Sequence, residues 1–127
     1  MDVHRSQLVS LFTRYKEIKL VYLFGSQVTK KTTPLSDYDF AIYLDEKTPS
    51  IRKNDIILDL NFRISSILKT NSVDVVILNN FLSPLLKFNI INDGKLIYEK
   101  IPYRLMIEPQ IFDQYFDFKI FQNIYNI

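Results

Sequence analysis

Apolar positions along the chain change their period several times, and each change marks a change of element. From His4 to Ile18, the residues Leu8, Leu11, Phe12, Tyr15 and Ile18 recur at three- and four-residue steps, which places them on one face of an amphipathic helix. Leu20-Val21-Tyr22-Leu23-Phe24 is a continuous apolar run with branched and aromatic members, stopped by Gly25. It predicts a buried strand ending in a turn. Gln27 to Pro34 is polar and carries Lys30, Lys31, Thr32 and Thr33, so a loop or one short helical turn follows. Asp39 to Leu44 reads as a second strand, and Val73 to Leu78 as a third. Between them, Ile57, Leu60, Ile64, Ile67 and Leu68 mark one face of a helix over Ile51 to Lys69. Leu82 to Asn89 predicts another helix, with Pro84 tolerable in its first turn. Asn92-Asp93-Gly94 makes a turn into a short strand, Lys95 to Tyr98, and beyond Pro102 comes an aromatic-rich, partly helical tail.

Helices and strands alternate, so the expected class is α/β in the α+β sense, a small mixed sheet flanked by helices. The 127 residues fit a single domain, 1–127, with no internal repeat or low-complexity linker. At 47% hydrophobic and 24% charged, a packed core needs no covalent staple. The net charge of +2, from 16 basic and 14 acidic residues, gives no argument for a membrane surface, and direct nucleic-acid binding is not expected. The chain has no cysteine, which excludes disulfides and thiolate-ligated metal. No apolar run approaches the roughly 18 residues of a membrane span, and Met1-Asp2-Val3-His4-Arg5 opens no signal-peptide pattern. A cytoplasmic protein is expected.

Three carboxylates stand out because they fall in or beside strands that should be buried. Asp37 and Asp39 are two apart on an extended segment, so their side chains share a face while Tyr38 takes the other. Asp74 sits among aliphatic residues in Val73-Asp74-Val75-Val76-Ile77-Leu78. An ionised carboxylate in such a place costs several kcal/mol or more unless a cation or donors compensate it. Three on adjacent strands would repel one another without a divalent ion between them, and hard oxygen ligands suit Mg²⁺ or Mn²⁺. Taken singly, each has a plainer reading. Ser36-Asp37-Tyr38-Asp39 can be a turn or a strand start, Asp74 an edge-strand residue facing solvent, and Asp45 a turn residue.

The segment before them adds to the case. A glycine after the strand Leu20–Phe24 lets the backbone approach a ligand, and successive N–H groups at such a turn form an anion site. Ser26 adds a hydroxyl donor. Together, Gly25-Ser26, Ser36-Asp37-Tyr38-Asp39 and Val73-Asp74-Val75 resemble the DNA-polymerase-β-like nucleotidyltransferase superfamily, over roughly Leu20 to Glu99. Within it the chain looks like the minimal nucleotidyltransferases. Gln114-Tyr115-Phe116-Asp117-Phe118 is similar to the C-terminal region of members encoded beside HEPN-domain toxins. The resemblance implies an antitoxin that moves AMP from ATP onto a tyrosine of a HEPN ribonuclease, in a hetero-oligomer with it. It also implies roles. Asp37 and Asp39 bind the metal that bridges the triphosphate, and Asp74 completes a second metal site and helps deprotonate the attacking hydroxyl. Gly25 and Ser26 hold the β- and γ-phosphates, with Ser36 and Lys30 in the nucleotide-binding set. One departure stands out, because Val28-Thr29-Lys30 replaces an alanine-arginine-glycine run common among relatives. Lys30 or Lys31 can supply the missing charge but not the bidentate fork of arginine.

Other features carry less. His4 is the only histidine and lies near a terminus, and no histidine-based nucleophile can be assembled. Arg52 and Lys53 read as a solvated helix face, and Tyr22 and Tyr38 as strand packing. Nucleotidyl transfer to a small hydroxylated molecule such as an aminoglycoside is a second enzymatic expectation, although little chain remains for an acceptor-binding domain. A non-catalytic toxin-binding antitoxin is a third, disfavoured by three clustered carboxylates. The tail, residues 103–127, crowds Ile111, Phe112, Tyr115, Phe116, Phe118, Phe121 and Tyr125 around more than one helical face, which predicts a partner-binding surface.

Overall fold

The computed structural model describes residues 4–25, 38–80 and 82–127. In chain order they form α1 (Arg5–Thr13), β1 (Ile18–Phe24), β2 (Tyr38–Leu44), α2 (Ser50–Leu68), β3 (Val73–Ile77), α3 (Pro84–Asp93), β4 (Lys95–Glu99) and α4 (Tyr103–Tyr125). The sheet has the order β3-β2-β1-β4. β1 pairs antiparallel with β2 and with β4, and β2 pairs parallel with β3, so the sheet is mixed as expected. Among the described residues, no helix is long and apolar enough to cross a membrane.

Both faces of the sheet are covered, which is why β1 and β2 read as continuous apolar runs. On one face, Val21, Leu23, Phe40, Ile42, Leu44, Val75 and Ile77 pack against Leu8, Leu11 and Phe12 of α1 and Ile56, Leu60 and Ile64 of α2. On the other, Leu20, Tyr22, Ala41 and Tyr43 pack against Ile90 and Ile91 of α3 and Ile107 and Ile111 of α4. α2 follows its apolar spacing and stops at Lys69, which adopts the left-handed conformation (φ 56°) and returns its N–H to the Ser65 carbonyl. α3 starts on Ser83, whose hydroxyl accepts the Leu86 N–H at 3.1 Å, with Pro84 in the first turn as expected.

Two boundaries differ from the periodicity. α1 ends at Thr13 instead of running on to Ile18, because Arg14 to Ile18 form tight turns in which Tyr15 N–H bonds Phe12 O and Ile18 N–H bonds Tyr15 O. Tyr15 and Ile18 remain in the α1–α2 core, so the turn satisfies the same spacing. The tail is one helix, and its first half is seated on the domain. Ile107 and Ile111 are buried, and Phe88 of α3 lies among Phe112, Tyr115 and Phe116, stacked on Tyr115 at 4.0 Å.

Two tyrosine hydroxyls tie the sheet side to the helices, and a third fastens the turn after β2. Tyr15 donates to Asp59 of α2, Tyr22 to Glu108 of α4 at 2.5 Å, and Tyr43 to Glu46 at 2.8 Å. Burial first, then the acceptor carboxylate, raises each phenol above its ordinary value of 10, Tyr15 to about 12. These groups keep their protons in the fold at a pH where the unfolded chain loses them, so stability falls as pH rises past about 10. The tyrosinate absorbance of the native protein should therefore lag that of the denatured chain. Tyr22→Phe should flatten the alkaline loss of stability and lower stability at neutral pH by about 1 kcal/mol. Coincident native and denatured titrations would show that these hydroxyls are not held.

Candidate active site

The register of the parallel pair decides which side chains meet. Tyr38 lies opposite Val73, Asp39 opposite Asp74 and Phe40 opposite Val75. Register partners in neighbouring strands share a face and lie about 4.8 Å apart across the sheet. Phe40 and Val75 belong to the α1–α2 face, so Asp39 and Asp74 project to the other, the face of α3 and α4. The same pairing rule brings Phe24 at the end of β1 opposite Asp39. Gly25 follows with φ +80°, and a Cβ there would stand 2.4 Å from Asp39 Oδ2. A glycine is what lets the carboxylate lie against the turn, because a side chain would collide with it and strain the backbone.

Gly25, Asp39 and Asp74 thus gather at one end of the sheet. Ser26, Lys30, Ser36 and Asp37 lie outside the described residues. Among the described residues, no group of three acidic or histidine side chains gathers. One expectation needs correction. Asp74 is not buried among the aliphatic residues around it but exposed, because β3 is the edge strand, and Asp39 is half-buried. The penalty of burying an uncompensated charge therefore hardly bears on Asp74, and Asp39 is only half-buried and has an interaction partner. What the geometry retains is two carboxylates on adjacent strands, side by side, with solvent access. Their mutual repulsion at this range is eased by a cation that both can reach, and an all-oxygen donor pair suits a hard divalent ion.

The remaining residues fall as follows. Asp45 is a turn residue, accepting Thr48 N–H on its carbonyl and Lys47 N–H on its carboxylate. His4 stands at the start of α1 and contacts Gln7. Tyr22 is buried in the core. One contact was invisible to sequence reasoning. Tyr22 lies on the carboxylate face of β1, and Glu108, which receives its hydroxyl, is also bonded by Arg104 at 3.0 Å. This ties α4 to the strand that leads into Gly25. The Arg104–Glu108 spacing of four is a visible helical pair, but a partner 86 positions away leaves no local signal.

The fold is that of a nucleotidyltransferase, and the chain belongs to the family described as Polymerase beta, Nucleotidyltransferase, which it matches over residues 6–102. That span holds all four strands and stops where α4 begins. Among individual proteins it is similar to the protein adenylyltransferase MntA of Aphanizomenon flos-aquae (strain 2012/KM1/D3), 32% identical over 105 residues, with 76% of this chain and 67% of that protein covered. Two solved structures share its backbone. One is a toxin–antitoxin with AMP-PNP, with TM-score 0.75, 20% identity, and coverage of 95% of this chain and 94% of that one. The other, a rebuilt structure of tri-AMPylated Shewanella oneidensis HEPN toxin in complex with MNT antitoxin, gives TM-score 0.71, 18% identity, and coverage of 98% and 93%. At these identities the likeness to the solved structures is one of fold.

The two glycines separate stability from chemistry. A Cβ at Gly94 would meet the Ile90 carbonyl at 2.0 Å and the Leu23 carbonyl at 3.1 Å, both backbone atoms. Gly94→Ala should lower the melting temperature while the folded fraction keeps its nucleotidyl transfer. Gly25→Ala should destabilise by roughly 1–3 kcal/mol and abolish transfer even where the protein is folded, because Asp39 must move. Equal transfer by folded Gly25→Ala and wild type would show that the contact with Asp39 does not matter.

Proposed function

We propose that this chain is a protein adenylyltransferase that moves AMP from ATP onto a tyrosine of a HEPN-domain toxin in the cytoplasm, and thereby acts as its antitoxin. The observation that carries the reading is the in-register pair Asp39–Asp74 beside the Gly25 turn, in a chain 32% identical to a protein adenylyltransferase. The names of the solved neighbours, toxin–antitoxin complexes with AMP-PNP or with an AMPylated HEPN toxin, support the same substrate and partner.

The chemistry follows from the residues. Asp39 and Asp74, joined by Asp37, would hold Mg²⁺ or Mn²⁺, and the ion when bound supplies positive charge to the triphosphate and its leaving group. Gly25 leaves the backbone bare where the β- and γ-phosphates approach, and Ser26, Ser36 and Lys30 contribute donors from the polar segment that follows. Asp74, exposed on the edge strand, is open on the side from which an acceptor arrives. It takes the proton of the incoming tyrosine hydroxyl as that oxygen bonds the α-phosphorus and the bond to pyrophosphate breaks.

α4 supports the partner. Its first half is anchored by Ile107, Ile111 and the Tyr22–Glu108 bond, whereas Phe116, Ile120, Phe121, Ile124 and Tyr125 beyond are exposed, Ile124 at 69%. An apolar run of this kind marks an interface, and we assign it to the toxin.

Two measurements test the reading. Labelled AMP from ATP should appear on the toxin in Mg²⁺, and Asp39→Asn, which removes a charge at nearly unchanged shape, should reduce the rate at least about 100-fold, close to 3 kcal/mol in barrier. A variant that labels as fast as wild type would remove Asp39 from the site. Truncation after Asp117 keeps Phe112, Tyr115 and Phe116 around Phe88, so melting should change little while toxin binding is lost. Full binding by the truncated chain would place the interface elsewhere.

A further inference from the structure

At the other end of β2 and β3 from the carboxylates, on the same face of the sheet, a cavity of about 300 Å³ opens between the sheet and α4. Tyr43 lines it, four positions along β2 from Asp39 and therefore about 13 Å away. Its floor is apolar, made by the buried Leu78, Ile107 and Ile111, and its rim is polar. Lys53 reaches it from α2 and Lys87 from α3, both half-buried. Neither makes an ion pair with another described residue. Two ammonium groups around one small cavity repel each other, and that repulsion is relieved when an anion sits between them. Glu46 also lines the cavity and keeps its negative charge while its carboxylate receives the Tyr43 hydroxyl at 2.8 Å, so the two lysines outnumber the acidic residue there by one.

The neutral groups point the same way. The Asn79 side chain is locked, accepting Leu44 N–H at 2.8 Å and donating one N–H to Leu44 O at 2.7 Å. That leaves its second N–H available, at a fixed orientation. Gln110 and Gln114, one helical turn apart on α4, add two more amides to the rim. A second cavity adjoins the first, sharing Asn79, Lys87 and Gln114, so Lys87 stands on the wall between them. Polar groups predominate in the lining, which suits a charged ligand better than an apolar one, and about 300 Å³ is the lower end of the usual size range of small-molecule sites.

We propose that this cavity is a second ligand site, separate from the adenylyl-transfer site, that takes a small organic phosphate of mononucleotide size or less. Its phosphate lies between Lys53 and Lys87, hydrogen-bonded by Asn79 and Gln110, and its body covers Ile107 and Ile111. The site stands independently of the catalytic reading, since it uses neither Asp39 nor Asp74. Because Ile107, Gln110, Ile111 and Gln114 all belong to α4, an occupant braces the helix that carries the exposed apolar run.

The test uses the full chain in EDTA, titrated with inorganic phosphate and with AMP, and follows the side-chain amide NMR signals of Asn79, Gln110 and Gln114. Those signals should shift saturably with both probes and at lower concentration with AMP, since only AMP has a body for the floor. The response should persist in Asp39→Asn and weaken at least about tenfold in Lys53→Met/Lys87→Met, the equivalent of about 1.4 kcal/mol. The wild-type titration needs no variant to fold, so it stands by itself. Amide signals that stay unmoved by either probe, or that move equally in the double variant, overturn the site. A response lost in Asp39→Asn overturns it too, because it would then report the catalytic end. None of these results bears on AMP transfer to a protein, so the two readings fail separately.

Discussion

The parallel pairing of β2 with β3 is the constraint on which the rest depends. Two adjacent parallel strands cannot be joined by a hairpin, so the chain must cross over, and α2 is that crossover. The register it delivers sets Asp39 against Asp74. A slip by one residue would turn Asp74 into the α1–α2 core and bring Val75 out to the opposite face. The slip is prevented by packing remote from the carboxylates. Val75 and Ile77 lie in one core with Ile56, Leu60 and Ile64 of α2, and Asn79 clamps both backbone groups of Leu44 at the far end of the pair. The alternation of apolar side chains along a five-residue strand thus sets the geometry of a charged site.

The two faces of the sheet have divided the work. The α1–α2 face is closed by aliphatic and aromatic packing. The other face carries the paired carboxylates, the Tyr22–Glu108 bond, the lysine-rimmed cavity and α4. α4 is half inside and half outside the domain, and Pro109, which can give no N–H to the helix, falls in the seated half between the buried Ile107 and Ile111. Its inner half reports on the sheet through Tyr22. Its outer half presents apolar side chains to whatever binds there.

Much of this was legible in the sequence because apolar periodicity reflects what each element packs against. All four strands and the crossover helix follow from runs and spacings, and the carboxylates drew notice because they interrupt those runs. The errors have physical causes. Periodicity cannot tell a helix from a helix followed by a turn when both put Tyr15 and Ile18 in one core, so α1 is shorter than its spacing suggests. Nor does a five-residue run reveal which strand lies at the edge, and Asp74 is exposed for that reason. The aromatic tail hid a partner in its own chain, Phe88, whose position beside Tyr115 depends on how α3 packs on α4. Lys53, which reads as a solvated helix face, lines a cavity because β3 and α4 bring Asn79 and Gln110 to it. Contacts that span elements leave no local pattern, and they are the ones that were missed.

Glycine occurs only twice in 127 residues, against five prolines, and both glycines stand at the same end of β1. Every other residue carries a Cβ that narrows its backbone in the unfolded chain, so folding gives up less conformational entropy than it would for a glycine-rich sequence of equal length. A chain without disulfides gains from that economy. Backbone latitude is used only at Gly25 (φ +80°), where the turn after β1 meets the Asp39 carboxylate, whereas Gly94 has ordinary extended backbone and lacks a side chain because the Ile90 carbonyl lies where a Cβ would stand. The disorder of the denatured ensemble and the geometry of the site are thus linked through Gly25.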